Sequence, residues 1–310
     1  MTQASRFAGG LLSVAAGAAL AFAATRSLRT PRSAPVTARH IAAARAFNGG
    51  SALLALSVLS DSAMEHYRGG FENPAMYAAL ASAAAALGAS LHGGADRSET
   101  SHALRHAIQL AAAATGLAGT TFHFYNVGKR PGGWSWHNLF YGAPVGAPFA
   151  LLLSGGFGAI AEQLRDEPAH DPRLFGMPAG KALALVSAAG LIGTAAEAAL
   201  LHFRGAFQHP AMYAPVTVAP VGAALLAQAA LAAPPRARRW RGFAYLWLRF
   251  VSVLGFAGAG FHANGVARAQ GGWRNWSQNL LAGPPLPAPP SFSALAVAGL
   301  AALRMRETEQ

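Results

Sequence analysis

Nine apolar stretches separated by short polar clusters divide the chain: 7–24, 47–66, 75–92, 105–123, 143–162, 181–202, 212–232, 242–262 and 287–304. Each approaches the length of about 20 residues that an α-helix needs to cross the hydrocarbon of a bilayer. Many are richer in alanine and glycine than in leucine, and such small residues let helix backbones approach closely in lipid. The pattern predicts an all-α, polytopic transmembrane helical bundle of about nine spans.

The polar clusters orient that bundle. If the odd-numbered spans run inward, 16 of the 24 lysines and arginines fall in inner loops and 7 in outer segments, with Arg249 inside the eighth span. The excess of positive charge on cytoplasmic loops places the N-terminus outside and the C-terminus in the cytoplasm of a cell membrane. Arg6, the first apolar run and Ala21-Phe22-Ala23 also fit a cleaved signal peptide. Cleavage would leave the five arginines from Arg26 to Arg45 outside, against the charge rule, so a retained first helix is expected.

Composition agrees with lipid as the solvent. Hydrophobic residues make up 53% of the 310 and charged residues 12%, against roughly 25% charge in soluble domains. The net charge of +12 is dispersed between apolar runs and forms no basic stripe interleaved with aromatics, which argues against nucleic acid as a partner. The chain has no cysteine, which excludes disulfides, thiolate metal ligands and cysteine-held iron–sulfur clusters.

The chain also repeats itself. Residues 66–77, HYRGGFENPAMY, and 202–213, HFRGAFQHPAMY, share eight of twelve positions at an offset of 136, which also pairs Asp61 with Glu197. At an offset of 139, Gly116, Gly119, Phe122 and His123 match Gly255, Gly258, Phe261 and His262, and Gly132-Gly133-Trp134 matches Gly271-Gly272-Trp273. Two inserted residues later, Asn138-Leu139, Gly142, Pro144 and Pro148 match Asn279-Leu280, Gly283, Pro285 and Pro289. Ordered matches of this kind predict two tandem four-helix repeats, 46–165 and 181–306, after an N-terminal segment 1–45 that holds the first helix and a basic stretch. Four spans is an even number, so the repeats are expected in parallel, related by a pseudo-two-fold axis along the membrane normal. Contact through their second and fourth spans would bring equivalent residues together at that axis.

The matched residues gather at the outer ends of helices. His66, His123, His202 and His262 are expected at one depth, where neutral imidazoles suit haem b or another transition metal; hydrogen bonding to nearby loops is the alternative. Gly116 and Gly119, like Gly255 and Gly258, lead to a histidine along one helix face and read as a helix–helix seam or as room for a flat macrocycle. Asp61 and Glu197 lie within helices, where an acid marks a proton relay or an ion pair, and pairing with Arg68 or Arg204 is the expected arrangement. Those arginines suit a propionate, a lipid headgroup or an anionic substrate at the site's mouth. Met76 and Met212 read as packing residues. Trp134, Trp136, Tyr141, Trp273 and Trp276 suggest a folded cap over the helix mouths.

Three functional readings follow. The first is a membrane redox subunit that holds haem or metal on the four histidines and exchanges electrons with a protein partner at the outer face. The second is a transporter or channel for a small solute or ion. The third is a structural or assembly subunit of a membrane complex. No phosphate loop, His-Glu-x-x-His, Gly-x-Ser-x-Gly or dinucleotide fingerprint occurs.

Overall fold

Residues 35–166 and 172–307 are described by a computed structural model of the chain. The first apolar stretch and its alternative reading as a signal peptide lie outside the described residues.

Among the described residues eight long helices form the body: α1 (Val36–Arg68), α2 (Met76–Ala95), α3 (Ala103–Lys129), α5 (Gly146–Asp166), α6 (Ala179–Arg204), α7 (Tyr213–Leu231), α8 (Pro234–Arg268) and α10 (Pro290–Arg306). Short helices α4 (Trp136–Phe140) and α9 (Trp276–Ala282) interrupt the connections after α3 and α8. A hairpin of β1 (Arg173–Leu174) and β2 (Met177–Pro178) precedes α6. Every predicted span from 47–66 onward is thus helical. Six of the helices are long and apolar enough to cross a membrane, with α7 counted from Pro210 and α8 from Arg238. The exceptions have local causes: α10 has only 17 residues, and α3 carries Arg105, His106 and Gln109 in its opening turns and Thr120, Thr121, His123 and Asn126 toward its end.

Helix α1 packs on α2 and α5, and α3 packs on α2 and α5; α6 packs on α7 and α10, and α8 packs on α7 and α10. Every pairing in the first set of four therefore has its counterpart in the second. The sets meet chiefly where α1 lies along α10, with a slighter contact between α5 and α6. The expected contact through second and fourth spans is not formed. Instead the first helix of each set meets the fourth of the other, because the buried faces of α1 and α10 carry alanine and glycine close enough for the Gly50 position to lie against the Ala294 backbone. Most of the core follows from this arrangement, with Phe47, Leu54, Leu183, Leu191, Leu295 and Leu303 buried in one cluster.

Successive long helices run in opposite directions. His66, His123, His202 and His262 therefore lie toward one end of the bundle, called the histidine end below. The turn 96–102, the hairpin and the start of α8 lie at the other, the arginine end.

Candidate functional site

At the histidine end the two sets are built from the same local bonds. Helix α1 closes as Phe71 N–H reaches His66 C=O (2.9 Å), and α6 closes as Phe207 N–H reaches His202 C=O (3.0 Å). This closure needs left-handed backbone, supplied by Gly70 and Phe71 in the first turn and by Ala206 and Phe207 in the second. Left-handed backbone is costly for a side chain as large as phenylalanine. The rings recover contact by stacking on Tyr77 at 4.4 Å and on Tyr213 at 4.5 Å between centroids.

The histidines join that framework. His66 Nδ1 lies 3.0 Å from Met76 O, and His202 Nδ1 lies 2.7 Å from Met212 O. His123 Nδ1 reaches Pro144 O at 2.6 Å, and His262 Nδ1 reaches Pro285 O at 2.7 Å. A carbonyl can only accept, so each Nδ1 carries a proton, and in the neutral imidazole the lone pair is then on Nε2. His123 lies within electrostatic reach of His66, and His262 within reach of His202. The expected common cage of four imidazoles is not formed: among the described residues no three metal-ligating side chains converge. Each histidine is instead tied to a carbonyl of its own set, which leaves at most two imidazoles per set to hold haem or metal.

The glycines form seams. A Cβ at Gly116 would strike the Leu152 backbone and lie 2.8 Å from Pro148 O; one at Gly255 would lie 2.6 Å from Pro289 O and 2.9 Å from Ser293 N. Beyond them, Gly119 and Gly258 face the rings of Pro148 and Pro289. Helices α5 and α10 fill the stripes, so no slot for a macrocycle opens there.

The caps are folded by one asparagine each. Asn138 Nδ2 donates to Pro131 O (3.0 Å) and Gly133 O (2.7 Å), and Asn279 Nδ2 donates to Gln270 O (3.1 Å) and Gly272 O (2.8 Å). Each cap then reaches the other set. Arg68 Nη2 donates to Leu281 O of α9. The Arg204 guanidinium lies 5.0 Å from the Phe140 ring of α4, and that ring also meets Phe203. Phe140 and Leu281 stand two residues after Asn138 and Asn279, so the crossing is reciprocal. Between the end of α1 and α9 runs a groove of about 690 Å³ lined by Tyr67, Arg68, Ser277, Gln278, Leu281, Ala282 and Gly283.

Beneath the arginines lie the two acids. Glu197 Oε1 accepts from the Gly146 N–H at the start of α5 (3.0 Å), and its carboxylate leaves no room for a side chain at Gly146. On the opposite side, Ser57 Oγ donates to Pro287 O before α10 (2.5 Å). Asp61 lies within electrostatic reach of Glu65, Glu197 and Arg68. The expected ion pair between Asp61 and an arginine is absent from the described residues, because Glu65, three residues before Arg68, takes that guanidinium at 2.7 Å. Glu65, Phe140 and Leu281 were not read from the sequence as site residues. The second insertion-shifted offset, 141, aligns Phe140 with Leu281 and was the signal available for two of them.

The arginine end is built differently in the two sets. Arg105 in α3 bridges Glu162 of α5 (2.8 Å) and Asp96 (2.7 Å), and donates to His92 Nδ1 (3.0 Å). Arg165 donates to Gly93 O (2.8 Å) and Ser98 O (2.7 Å). Arg105, Glu162 and Arg165 are 4%, 1% and 0% exposed. Burial acts to raise the Asp96 carboxyl, but hydrogen bonds from Ser98 and Arg105 outweigh it and hold the group well below the usual carboxylate range. The matching positions of the second set are Ala244, Leu303 and Arg306.

Compared with family models, with curated proteins and with solved structures, the chain matches none.

Proposed function

We propose that the chain is an integral membrane protein of two parallel four-helix repeats following a first span, and that it is a transporter or channel for a proton or small cation. Asp61 and Glu197 are the ionisable groups on its path, between the repeats. The observation that carries this reading is Asp61 itself. No hydrogen bond reaches its carboxylate among the described residues, although it lies inside a spanning helix and within reach of the matched Glu197. An intramembrane acid without a structural bond is costly to keep and marks a pathway. A site between parallel repeats is also where transporters of such design bind their ions. The N-terminus lies outside and the C-terminus in the cytoplasm.

The test is flux into liposomes holding the purified full-length protein, followed with a pH-sensitive dye and with sodium or potassium gradients. Wild-type protein conducts one of these ions, and Asp61→Asn and Glu197→Gln each lower the rate at least about tenfold, in line with loss of a proton-transfer group. A wild-type rate equal to that of empty liposomes for all three ions would sink the reading.

One observation favours a second reading, that of an electron-transfer subunit. All four histidines donate Nδ1–H to a carbonyl, the arrangement by which metal-ligating histidines are usually held. Arg68 and Arg204 would then serve haem propionates, and a redox protein would dock at the outer face. A Soret band in the detergent-purified protein, lost in His123→Ala with His262→Ala, selects this reading. A colourless, metal-free preparation removes it.

A further inference from the structure

Helices α3 and α8 end alike and begin differently. Each runs six residues past its histidine, to Lys129 and to Arg268, yet α3 has 27 residues and α8 has 35. The eight additional residues therefore all lie at the arginine end. They read Pro234-Pro235-Arg236-Ala237-Arg238-Arg239-Trp240-Arg241. At 1.5 Å per residue α8 is roughly 50 Å long, well beyond the ~30 Å of a hydrocarbon core. Its first turns thus project to headgroup level or past it.

This extension is held in place, and among the described residues its charge is unbalanced. Trp240 packs against the main core cluster, so the helix does not hang free. Arg236, Arg238 and Arg239 are exposed, and no acidic residue occupies the first turn. No ion pair reaches these three arginines among the described residues; Arg239 rests over the Phe243 ring at 5.9 Å. The positive end of the helix dipole adds to their charge rather than opposing it.

A second feature stands at the same end. The hairpin before α6 turns on Phe175 and Gly176, with φ of 52° and 75°. Phe71 and Phe207 occupy the same backbone region and have tyrosines to stack on, whereas Phe175 is 87% exposed. Arg173 Nη2 braces the turn through Gly176 O (2.7 Å), and α6 enters its apolar stretch directly after Pro178. An aromatic ring beside the mouth of a spanning helix sits at the depth of the lipid interface.

We infer that the α8 extension and the Phe175 turn together form a docking surface for anionic phospholipid headgroups in the leaflet at the arginine end. The arginines take the phosphates and the ring enters the upper acyl region. The inference rests on the membrane reading and is independent of what, if anything, is transported. Lipid is favoured over a soluble anionic protein because the ring stands at the mouth of α6, where the nearest apolar phase is the bilayer.

Native mass spectrometry of the full-length protein in mixed phosphatidylglycerol and phosphatidylcholine micelles tests it. Each arginine near an anionic surface adds about fivefold in affinity. Wild-type protein should retain phosphatidylglycerol preferentially, and Arg236→Gln with Arg238→Gln and Arg239→Gln should lower that preference more than about tenfold. Arg268→Gln, at the opposite end, should leave it unchanged. Rising salt should weaken the wild-type preference without any substitution, since exposed charges are screened. The chain has no cysteine, so Phe175→Cys carrying an environment-sensitive fluorophore reports the turn alone. In nanodiscs its emission should be that of an apolar site and be quenched by shallow nitroxide lipids. Equal retention of both lipids by wild-type protein, or water-like emission at position 175, overturns the inference.

Discussion

Ser51 and Ser187 occupy matching places in α1 and α6, yet their surroundings are opposite in kind. Ser51 bonds to Ser90 Oγ (2.8 Å) and to Ser154 O (2.8 Å), and Ser90 in turn accepts from Gln109 (2.8 Å). At the positions corresponding to Ser90, Gln109 and Ser154 the second set carries Leu226, Leu248 and Leu295, all buried. The Ser187 hydroxyl has no hydrogen-bond partner among the described residues. The same contrast continues to the arginine end, where Arg105 and Glu162 give way to Ala244 and Leu303. One arrangement of helices is thus held around Ser51 by buried polar bonds and around Ser187 by apolar packing, although the second set keeps a buried bond elsewhere, from Ser293 Oγ to Ser252 O (2.6 Å). Meanwhile the histidine end repeats its helix closures, histidine bonds and asparagine-folded caps, while the acids and arginines differ in their partners. The comparison teaches that the middles of the helices need only hold, by whichever chemistry suffices, while matched bonds gather at the end where the caps cross, with the buried Arg165 and Arg306, each donating to a carbonyl of its own set, the matched pair at the other end.

The largest effect that probes this contrast is expected at Glu162. Glu162→Ala leaves Arg105 and Arg165 buried without their main counter-charge and should cost about 3–5 kcal/mol, read from unfolding in mixed detergent micelles. Arg105→Ala with Glu162→Leu copies the second set and should recover most of that loss. If the pair proves as damaging as Glu162→Ala, the ion pair has a function that leucine and alanine cannot replace.

A smaller and asymmetric effect is expected at the serines. Ser51→Ala orphans buried partners and should cost about 1–3 kcal/mol, whereas Ser187→Ala removes a hydroxyl that has no bond and should be neutral or stabilising. Equal losses at the two positions would break the comparison.

The smallest effect concerns acid. Asp96 is held below its ordinary value, so its contribution is present above pH ~4 and is lost as pH falls further, through the depressed folded value. Unfolding midpoints measured below pH ~4 should therefore fall less steeply in Asp96→Asn than in wild-type protein. The second set has Ala232 at the corresponding place and contributes nothing of this kind. An unchanged slope would show that the Asp96 bonds do not couple to folding.

The histidine end was legible in the sequence because its structure is made by local bonds with strict residue demands. Histidine at the last turn, an asparagine that gathers two loop carbonyls and a glycine under a proline each tolerate few substitutes, so they recur visibly. Leucine against serine, by contrast, leaves an apolar run equally long and equally helical, and the divergence of the middles shows only as a higher hydropathy of the second set's helices, which does not say what the serines bond to. Gly116 and Gly255 were legible as a pair, but only the placement of α5 and α10 decides between a seam and a slot. The short helices α4 and α9 and the Phe175 hairpin escaped notice, being too brief for a periodic signal. Asp61 shows the limit of pairing by proximity in sequence: Arg68 is seven residues away, but Glu65 is one turn nearer and takes the contact.

Helix α10 has a consequence for biosynthesis. It is the last of the described helices to be made, and every residue from Ser291 to Leu303 is buried among α1, α6 and α8. A segment of 17 residues with serines at its start and arginines at its end has little to offer lipid alone. Its place is created by α1, which precedes it by more than two hundred residues, and by two helices of the later set. The earlier helices must therefore wait in the membrane with an apolar cleft unfilled until α10 arrives, and their exposure to misassembly is greatest in the interval just before α10 docks.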